Sequence, residues 1–332
     1  MRVAILGAAH PHVQYALDEV AHRDELELVA AAEADPQMRA QYLDGLPAPV
    51  YPSIPELLAA HTVDVALVAG IYTHRAQAVL EALAAGAHVL ADKPLCTSLD
   101  QVDAISAAAA ASGRHVSLVL EKRFYPPTLA AARLIADGVL GELALVASTG
   151  PHKLNLGARP EWFLRRDGYG GIAADLPVHD IDLVLHLTGA TAGTVSAVTG
   201  NVRAAEHPGL DDHVALLLRA GQVTATVEAS WLSPQAADVH GHYRMRLTGS
   251  EGTAELDWAY GRLHVATHDR PGWAEPLPPA PRPAQYFFDA LLDGREPEIT
   301  TAASLLATRV ALTAQASADT GGRQLDWAAD AG

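Results

Sequence analysis

The chain has 332 residues, 49% hydrophobic and 19% charged, the balance of a folded chain long enough for two cores. A net charge of −16 argues against a nucleic-acid groove or an anionic membrane surface, so any anionic ligand would have to be held locally. The single cysteine, Cys96, excludes an internal disulfide and a cysteine-rich zinc centre; no run approaches the ~20 apolar residues of a membrane span, and Met1–Ala9 lacks a signal-peptide pattern, so a cytoplasmic protein is expected.

The first third alternates β-rich runs with alanine-rich stretches. RVAIL (2–6) predicts a buried strand and HVQYALDEVAHR (12–23) a helix. LELVAAAE (26–33) predicts the second strand, and DPQMRAQYLDG (35–45) a helix closed by Gly45. VDVALVAG (63–70) predicts the third strand, followed by a helix over 74–85 that Gly86 can cap. HVLAD (88–92) predicts the fourth, SLDQVDAISAAAAASG (98–113) a helix capped by Ser98, and HVSLVL (115–120) the fifth. Alternation at these lengths is the pattern of a parallel, doubly wound Rossmann sheet, which takes ligands at the carboxyl ends of its strands.

After residue 120 the rhythm changes. A helix (126–137) and a strand (142–149) precede a loop rich in Gly, Arg and aromatics, then a helix near 175–188. Three β-rich runs follow, 193–204, 212–231 and 242–258; RAGQ and GSEGT read as hairpin turns, so the sheet should be largely antiparallel. PGWAEPLPPAPRP (271–283) reads as a connector inside a domain, since too few residues follow it for another core, and helices near 284–294 and 301–319 close the chain. No internal repeat is present. The expected fold is α/β: a dinucleotide-binding Rossmann domain over 1–120, then a substrate-binding and oligomerisation α+β domain over 121–332 with an open, mostly antiparallel sheet.

LGAAHPHVQ (6–14) lies where a Rossmann phosphate loop belongs. Of G-x-G-x-x-G only Gly7 remains, with Ala9 and His12 at the other two positions. Ala9 adds one methyl that a shifted loop absorbs, His12 is bulkier, and Pro11 costs little near a helix start. The remaining N–H groups and the helix dipole favour a pyrophosphate, and His10 and His12 could add donors. Gly7, Ala8, Ala9, His10, Pro11 and His12 therefore read as a modified dinucleotide loop. Glu33, closing the second strand, can accept the ribose hydroxyls and would repel a 2′-phosphate, which favours NAD; Arg39 argues weakly for NADP. The plainer reading of Glu33 is a solvated loop acid.

A lysine at the end of a buried strand, followed by proline, is an unusual place for a solvated cation. AGAHVLADKPLCTSLDQ (85–101) resembles the A-G-K-H-V-L-x-E-K-P-L-A signature of the Gfo/Idh/MocA oxidoreductases, with Asp92, Lys93 and Pro94 at E-K-P. The resemblance implies that Lys93 reaches the reacting carbinol while this turn holds the nicotinamide side. GYGGIAADLPVHDIDLVLHLTG (168–189) is similar to the family's G-G-G-x-x-x-D-x-G-x-H-x-x-D, with Ile172 in place of the third glycine. Asp175 and His179 stand at i and i+4, on one face if helical, as an acid/base histidine with a polar partner requires. Alone, the pair would read as a helix cap and a buried histidine. LEKRFYPPTLAAARLI (120–135) resembles the family's crossover: Arg123 fits, and Glu121-Lys122 replaces a segment that is often Asn-containing. The third-strand motif T-P-x-x-x-H is here GIYTHR (70–75), without the proline and with Arg75 in the histidine's place.

The resemblance, which runs over essentially the whole chain, implies coenzyme contacts at Gly70, Ile71, Tyr72, His74, Asp92, Lys93, Pro94 and Arg123. The loop GARPEWFLRRDGYGG (157–171) would line the substrate pocket through Arg159, Trp162, Arg165 and Tyr169, beside Lys93, Asp175 and His179. The implied activity is NAD-dependent hydride transfer, NADP being less favoured, on a secondary alcohol or ketone of a sugar, inositol or related cyclic polyol. His179 would be the general base, Lys93 would polarise the hydroxyl and Asp175 would orient, in a homodimer or homotetramer. Two alternatives stay open: a redox-neutral, NAD-using enzyme that cleaves glycosides, and a non-catalytic cofactor or ligand sensor, against which the Lys93, Asp175 and His179 trio argues. His10/His12, His240/His242 and Asp175/His179 are metal-ligand types without further ligands at recognisable spacing, so no metal is expected.

Overall fold

Short, small-residue strands and capped helices build the first sheet: β1 (Arg2–Ala8), β2 (Glu27–Ala32), β3 (Val50–Tyr51), β4 (Val65–Ala69), β5 (His88–Ala91) and β6 (Val116–Leu118). All neighbours are parallel, in the order β3-β2-β1-β4-β5-β6, the Rossmann order. β4 is buried at every residue, as a strand covered on both faces must be. The crossovers are the helices Val13–His22, Pro36–Tyr42, Ile54–Ala60, Arg75–Ala84 and Leu99–Ser112. Three of them start on side-chain caps: Asp35 accepts from the N–H groups of Gln37 and Met38, Ser53 from Glu56, and Ser98 from Gln101. β3 and helix Ile54–Ala60 occupy a stretch in which the sequence predicts no element; the expected third, fourth and fifth strands are thus β4, β5 and β6.

The computed structural model describes residues 1–329 and divides into two units. The first joins Met1–Leu120 with Asp167–Gly170 and Arg282–Thr308. Helix Gln285–Leu292 sets Phe287 and Phe288 into the same core as Val3, Ile5, Leu67 and Leu90. The outer edge of β6 is covered: its Val116 N–H donates to Thr301 Oγ1 at 3.0 Å, Leu118 N–H donates to Ser304 Oγ at 3.1 Å, and Leu118 O accepts from Tyr286 O–H at 2.6 Å. The reading of 271–283 as a connector within a domain is corrected, because the chain passes from one unit to the other between Pro281 and Arg282. The residues after it need no core of their own, since they complete one that exists.

The second unit comprises Glu121–Arg166, Gly171–Pro281 and the described residues from Arg309 onward. Its strands are β7 (Leu143–Pro151), β8 (Ala192–Gly200), β9 (His213–Ala220), β10 (Val223–Ser230), β11 (Arg244–Gly249), β12 (Gly252–Asp257), β13 (Arg262–Thr267), β14 (Trp273–Ala274) and β15 (Leu325–Ala328). They form one sheet in the order β14-β13-β12-β11-β7-β10-β9-β8-β15. Only the β7–β10 pair is parallel, and both expected hairpins form, β9–β10 and β11–β12. β9 alternates buried and exposed residues, so one face of the sheet is covered and the other open. Helix Val178–Thr188 packs on β7, β9 and β10. The expected helix from 175 is corrected: a short helix ends at Asp175, Leu176–Pro177 interrupts, and Pro177, with no N–H to give, stands at the start of the next. Asp175 and His179 therefore do not share one helix. No helix among the described residues is long and apolar enough to cross a membrane.

Candidate coenzyme and catalytic site

In the first unit β1 and β4 end side by side on a glycine pair. Gly7 has φ +83°, and a Cβ there would lie 2.8 Å from Gly70 Cα, so position 7 admits no side chain. Beside this pair opens a cleft of about 470 Å3, with Glu33, Ile54, Pro55, Ile71, His74 and Arg75 among its walls. Glu33 braces the loop: Oε2 accepts from Ala8 N–H at 2.7 Å and Oε1 from Asp35 N–H at 2.9 Å. Arg39 donates to the Glu33 carbonyl at 2.8 Å, which ties it down at the helix start. A close backbone approach next to a carboxylate-walled cleft fits an adenosine ribose and its phosphates.

The loop's own donors are another matter. Ala9 N–H donates to Ala69 O at 2.8 Å, and the N–H groups of Val13, Gln14 and Tyr15 donate to the carbonyls of His10, Pro11 and His12 at 3.3, 3.0 and 3.0 Å. The first turn is wound into i→i−3 bonds that use the N–H groups a phosphate would need. Fewer backbone donors are left for a phosphate than a cradle made of the whole loop would offer.

The histidines turn inward at Nδ1. His12 Nδ1 lies 2.7 Å from Asp92 Oδ1 and His10 Nδ1 3.1 Å from Oδ2. Asp92 also accepts from its neighbour's backbone, Lys93 N–H, at 2.8 Å and from Arg75 Nη2 at 2.9 Å. Burial opposes its ionisation, but His10, His12 and Arg75 hold the carboxyl well below the usual range. Burial outweighs Asp92 at His10 and lowers that ring well below its ordinary pKa. Arg75 is fully buried over the Tyr72 ring, 4.3 Å from its centroid, and also donates to Gly70 O at 2.8 Å and Pro94 O at 3.0 Å. It thereby joins the turns after β4 and β5. Lys93 is buried beside it at the end of β5. His10, His12 and Asp92 are metal-ligating types with donor atoms within 4.8 Å of one another, but the existing bonds and the adjacent Arg75 and Lys93 disfavour a cation there.

In the second unit His179, Asp180 and Asp182 are all buried on helix Val178–Thr188. Glu121 Oε2 stands 3.9 Å from His179 Nδ1, a carboxylate behind the ring. Asp180 accepts from Lys122 Nζ, 3.2 Å from both oxygens, and from Ser148 Oγ at 2.6 Å; the ammonium sits 5.0 and 5.1 Å from the Tyr243 and Trp258 rings. Arg123, expected at the coenzyme, holds Asp182 with both arms, Nε to Oδ2 at 2.7 Å and Nη2 to Oδ1 at 2.5 Å. Asp175 is buried at the end of its short helix. Arg159 stacks on Phe163 and Trp231 and donates to Leu154 O at 2.8 Å, Trp162 is half-buried and Arg165 exposed. Tyr169 belongs to the first unit, buried 5.7 Å from the Tyr72 ring.

Sequence reasoning passed over Arg75 and Glu121 as site residues, and over Pro52–Pro55 in the cleft wall. Arg75 left two signals, its place at the histidine position of the third-strand motif and a charge on a helix otherwise buried through Ala76, Ala78, Val79, Ala82 and Leu83.

The family model for the oxidoreductase family with an NAD-binding Rossmann fold matches residues 1–119, and the model for the GFO/IDH/MocA C-terminal domain matches residues 128–255. A protein of Amycolatopsis mediterranei (strain S699), named as an oxidoreductase subunit of UDP-kanosamine synthase, is 30% identical over 79% of this chain and 76% of its own length. Inositol 2-dehydrogenase of Rhizobium meliloti (strain 1021) is 25% identical over 77% of this chain and 76% of its own. The structure of an aldose-aldose oxidoreductase from Caulobacter crescentus, complexed with glycerol, superposes with a TM-score of 0.82 at 22% identity, covering 98% of this chain and 99% of that one.

Proposed function

Since the chain belongs to the GFO/IDH/MocA family of NAD-binding oxidoreductases, we propose that it moves a hydride between NAD and a secondary alcohol or ketone of a sugar, inositol or related cyclic polyol. The observation that carries the reading is Lys93, a buried cation at the carboxyl end of β5, next to an Asp92 that four groups surround. NAD, when bound, accepts the hydride from the carbinol carbon. His179 takes the hydroxyl proton, and the Glu121 carboxylate behind Nδ1 stabilises the imidazolium that results. Lys93 polarises the carbinol oxygen, and Asp175 orients the substrate. Glu33 faces the ribose and disfavours a 2′-phosphate, so NAD is preferred to NADP.

The first unit supplies the coenzyme side and the second the substrate and assembly side. The open face of the second sheet is the self-association surface: Leu145, Leu217 and Val198 are exposed there, beside Arg244, Arg246 and Arg262 and the acids Glu228, Glu255 and Asp257. Equal and opposite charges on one patch suit a contact with its own copy. A reducing cytoplasm suits the lone buried Cys96 thiol, and fractionation of source cells tests that placement. The function itself is tested by a panel of cyclic polyols and sugars with NAD and with NADP, following reduced nicotinamide absorbance. Turnover with NAD on a member of this class is expected; no reduction of either coenzyme across the panel would sink the proposal.

A further inference from the structure

Most of the dinucleotide loop's backbone donors are already engaged. Ala8 N–H is held by Glu33, Ala9 N–H by Ala69 O, and the first helical N–H groups by the carbonyls of residues 10–12. With His12 N–H directed at His10 Nδ1 at 3.4 Å as well, a pyrophosphate lying across such a loop finds few main-chain donors and gains from side chains. Two rings are in place. His10 and His12 both turn Nδ1 to the Asp92 carboxylate, and about a sixth of each side chain stays exposed. Nε2 is the far ring nitrogen, and neither Nε2 is among the buried polar atoms lacking a partner, so these atoms meet solvent at the loop.

The proton count follows from the acceptor. A carboxylate only accepts, so His12 carries its proton on Nδ1, and the neutral ring then offers a bare lone pair at Nε2. That lone pair repels a phosphate oxygen; a second proton converts it into a charge-assisted donor. At His10, 3.1 Å from the other carboxylate oxygen, the same second proton makes both nitrogens donors. The groups facing these rings are Asp92, each other and the Tyr15 ring stacked on His12 at 4.6 Å, with Arg75 and Lys93 nearby; burial first, then His12 and the two cations, keep His10 neutral until an anion arrives.

We propose that His10 and His12, clamped by Asp92, are the pyrophosphate anchors of this chain, and that coenzyme binding is coupled to the uptake of one proton by the pair. This rests on the reading of the loop as a coenzyme site. The replacement of the loop glycines then has a chemical sense: imidazoles reinforce the main chain as anchors.

The test is titration calorimetry of NAD with the full-length protein at pH 6, 7 and 8, each in two buffers of different ionisation enthalpy. Expected are an uptake of about one proton and a dissociation constant that rises up to tenfold per pH unit, the limit for one linked proton. ADP-ribose, which keeps the pyrophosphate, should show the same uptake, and adenosine none. His12→Gln and His10→Gln keep a neutral donor but cannot titrate; each should weaken NAD binding at pH 6 and flatten the pH dependence, with circular dichroism confirming an intact fold. NAD binding with no proton uptake and a flat pH profile overturns the anchor proposal and leaves the dehydrogenase reading standing. No NAD binding at any pH overturns both. Stoichiometric Zn2+ binding that His12→Gln abolishes, with NAD affinity unchanged, would make the cluster a metal centre and overturn the anchors.

Discussion

One arginine holds the mouth of the first sheet together. Arg75 reaches Gly70 O, Pro94 O and Asp92, so the glycine turn after β4 and the lysine turn after β5 move as one. Arg75→Met keeps the stem and removes the charge, leaving Asp92 with the imidazoles and the Lys93 N–H; the loss expected for breaking a buried pair is about 3–5 kcal/mol at pH 7, read by chemical denaturation. Asp92 ionises at a lower pH in the fold than in the unfolded chain, so its contribution is present above about pH 3.9 and is lost as pH falls through the depressed value. The gap between Arg75→Met and parent should therefore narrow below about pH 4; a gap of constant size would detach Asp92 from the effect. His10 adds a second acid slope, since the unfolded chain takes up a proton below about pH 6.5 while burial keeps the folded ring neutral. Stability without coenzyme should thus fall on acidification from pH 6.5, in the same range where the anchor proposal has coenzyme binding grow tighter. For the chemistry, Lys93→Ala and His179→Ala should each lower kcat by ~10²–10⁴ while NAD affinity stays near that of the parent. Near-parental turnover in both would mean that the proton-transfer groups lie elsewhere.

Elements were legible where a period was long enough to register. β1, β2, β4, β5 and β6, separated by capped helices, gave the doubly wound sheet, and the RAGQ and GSEGT turns gave two hairpins. β3 has two residues and β14 two, below any alternation, and β15 is a four-residue piece that finds its partner only in the distant β8. The helix break was there to be read in Pro177, but an i, i+4 pairing of Asp175 with His179 outweighed it. Placement of Lys93 at a strand end was legible from its motif. Arg75 was not, because a lone charge reads as solvated until its partner Asp92, seventeen residues away, is brought beside it. The open sheet face is a property of whole strands: Leu145, Thr224 and Arg219 form one row across β7, β10 and β9, and Ala147, Thr226 and Leu217 the next. Leu217→Glu places a charge in the middle of that face without touching the buried one. If the face joins two copies, light scattering should report monomer, with the melting temperature of the isolated fold little changed; an unaltered mass would remove the face from the assembly.

At the scale of the molecule, the first unit is finished by chain that arrives last. Arg282–Thr308 brings Phe287 and Phe288 into a core otherwise made before residue 120, and its Thr301 and Ser304 close the edge of β6. Hydrophobic burial makes the return favourable but does not set its register; the ion pairs at Glu19 do. This carboxylate is buried on helix Val13–His22 and accepts from Arg282 Nε and Nη2 at 2.6 and 2.9 Å and from Arg23 Nε at 2.6 Å, while Arg23 Nη2 reaches on to Asp289 at 2.6 Å. A bidentate pair of that kind fixes position and angle together. Glu19→Ala leaves two guanidinium groups facing a void, and both retain some contact with water, so the loss should fall at about 2–4 kcal/mol, below that of a fully buried break. The expected signature is local before it is global. Limited proteolysis should cut 271–283 faster than in the parent, because the returning segment detaches more often, while the second unit keeps its protease resistance. Glu19→Gln, which retains the shape and one acceptor, should lie between. Parental cutting rates in Glu19→Ala would show that the apolar contacts of Phe287 and Phe288 alone hold the segment in place.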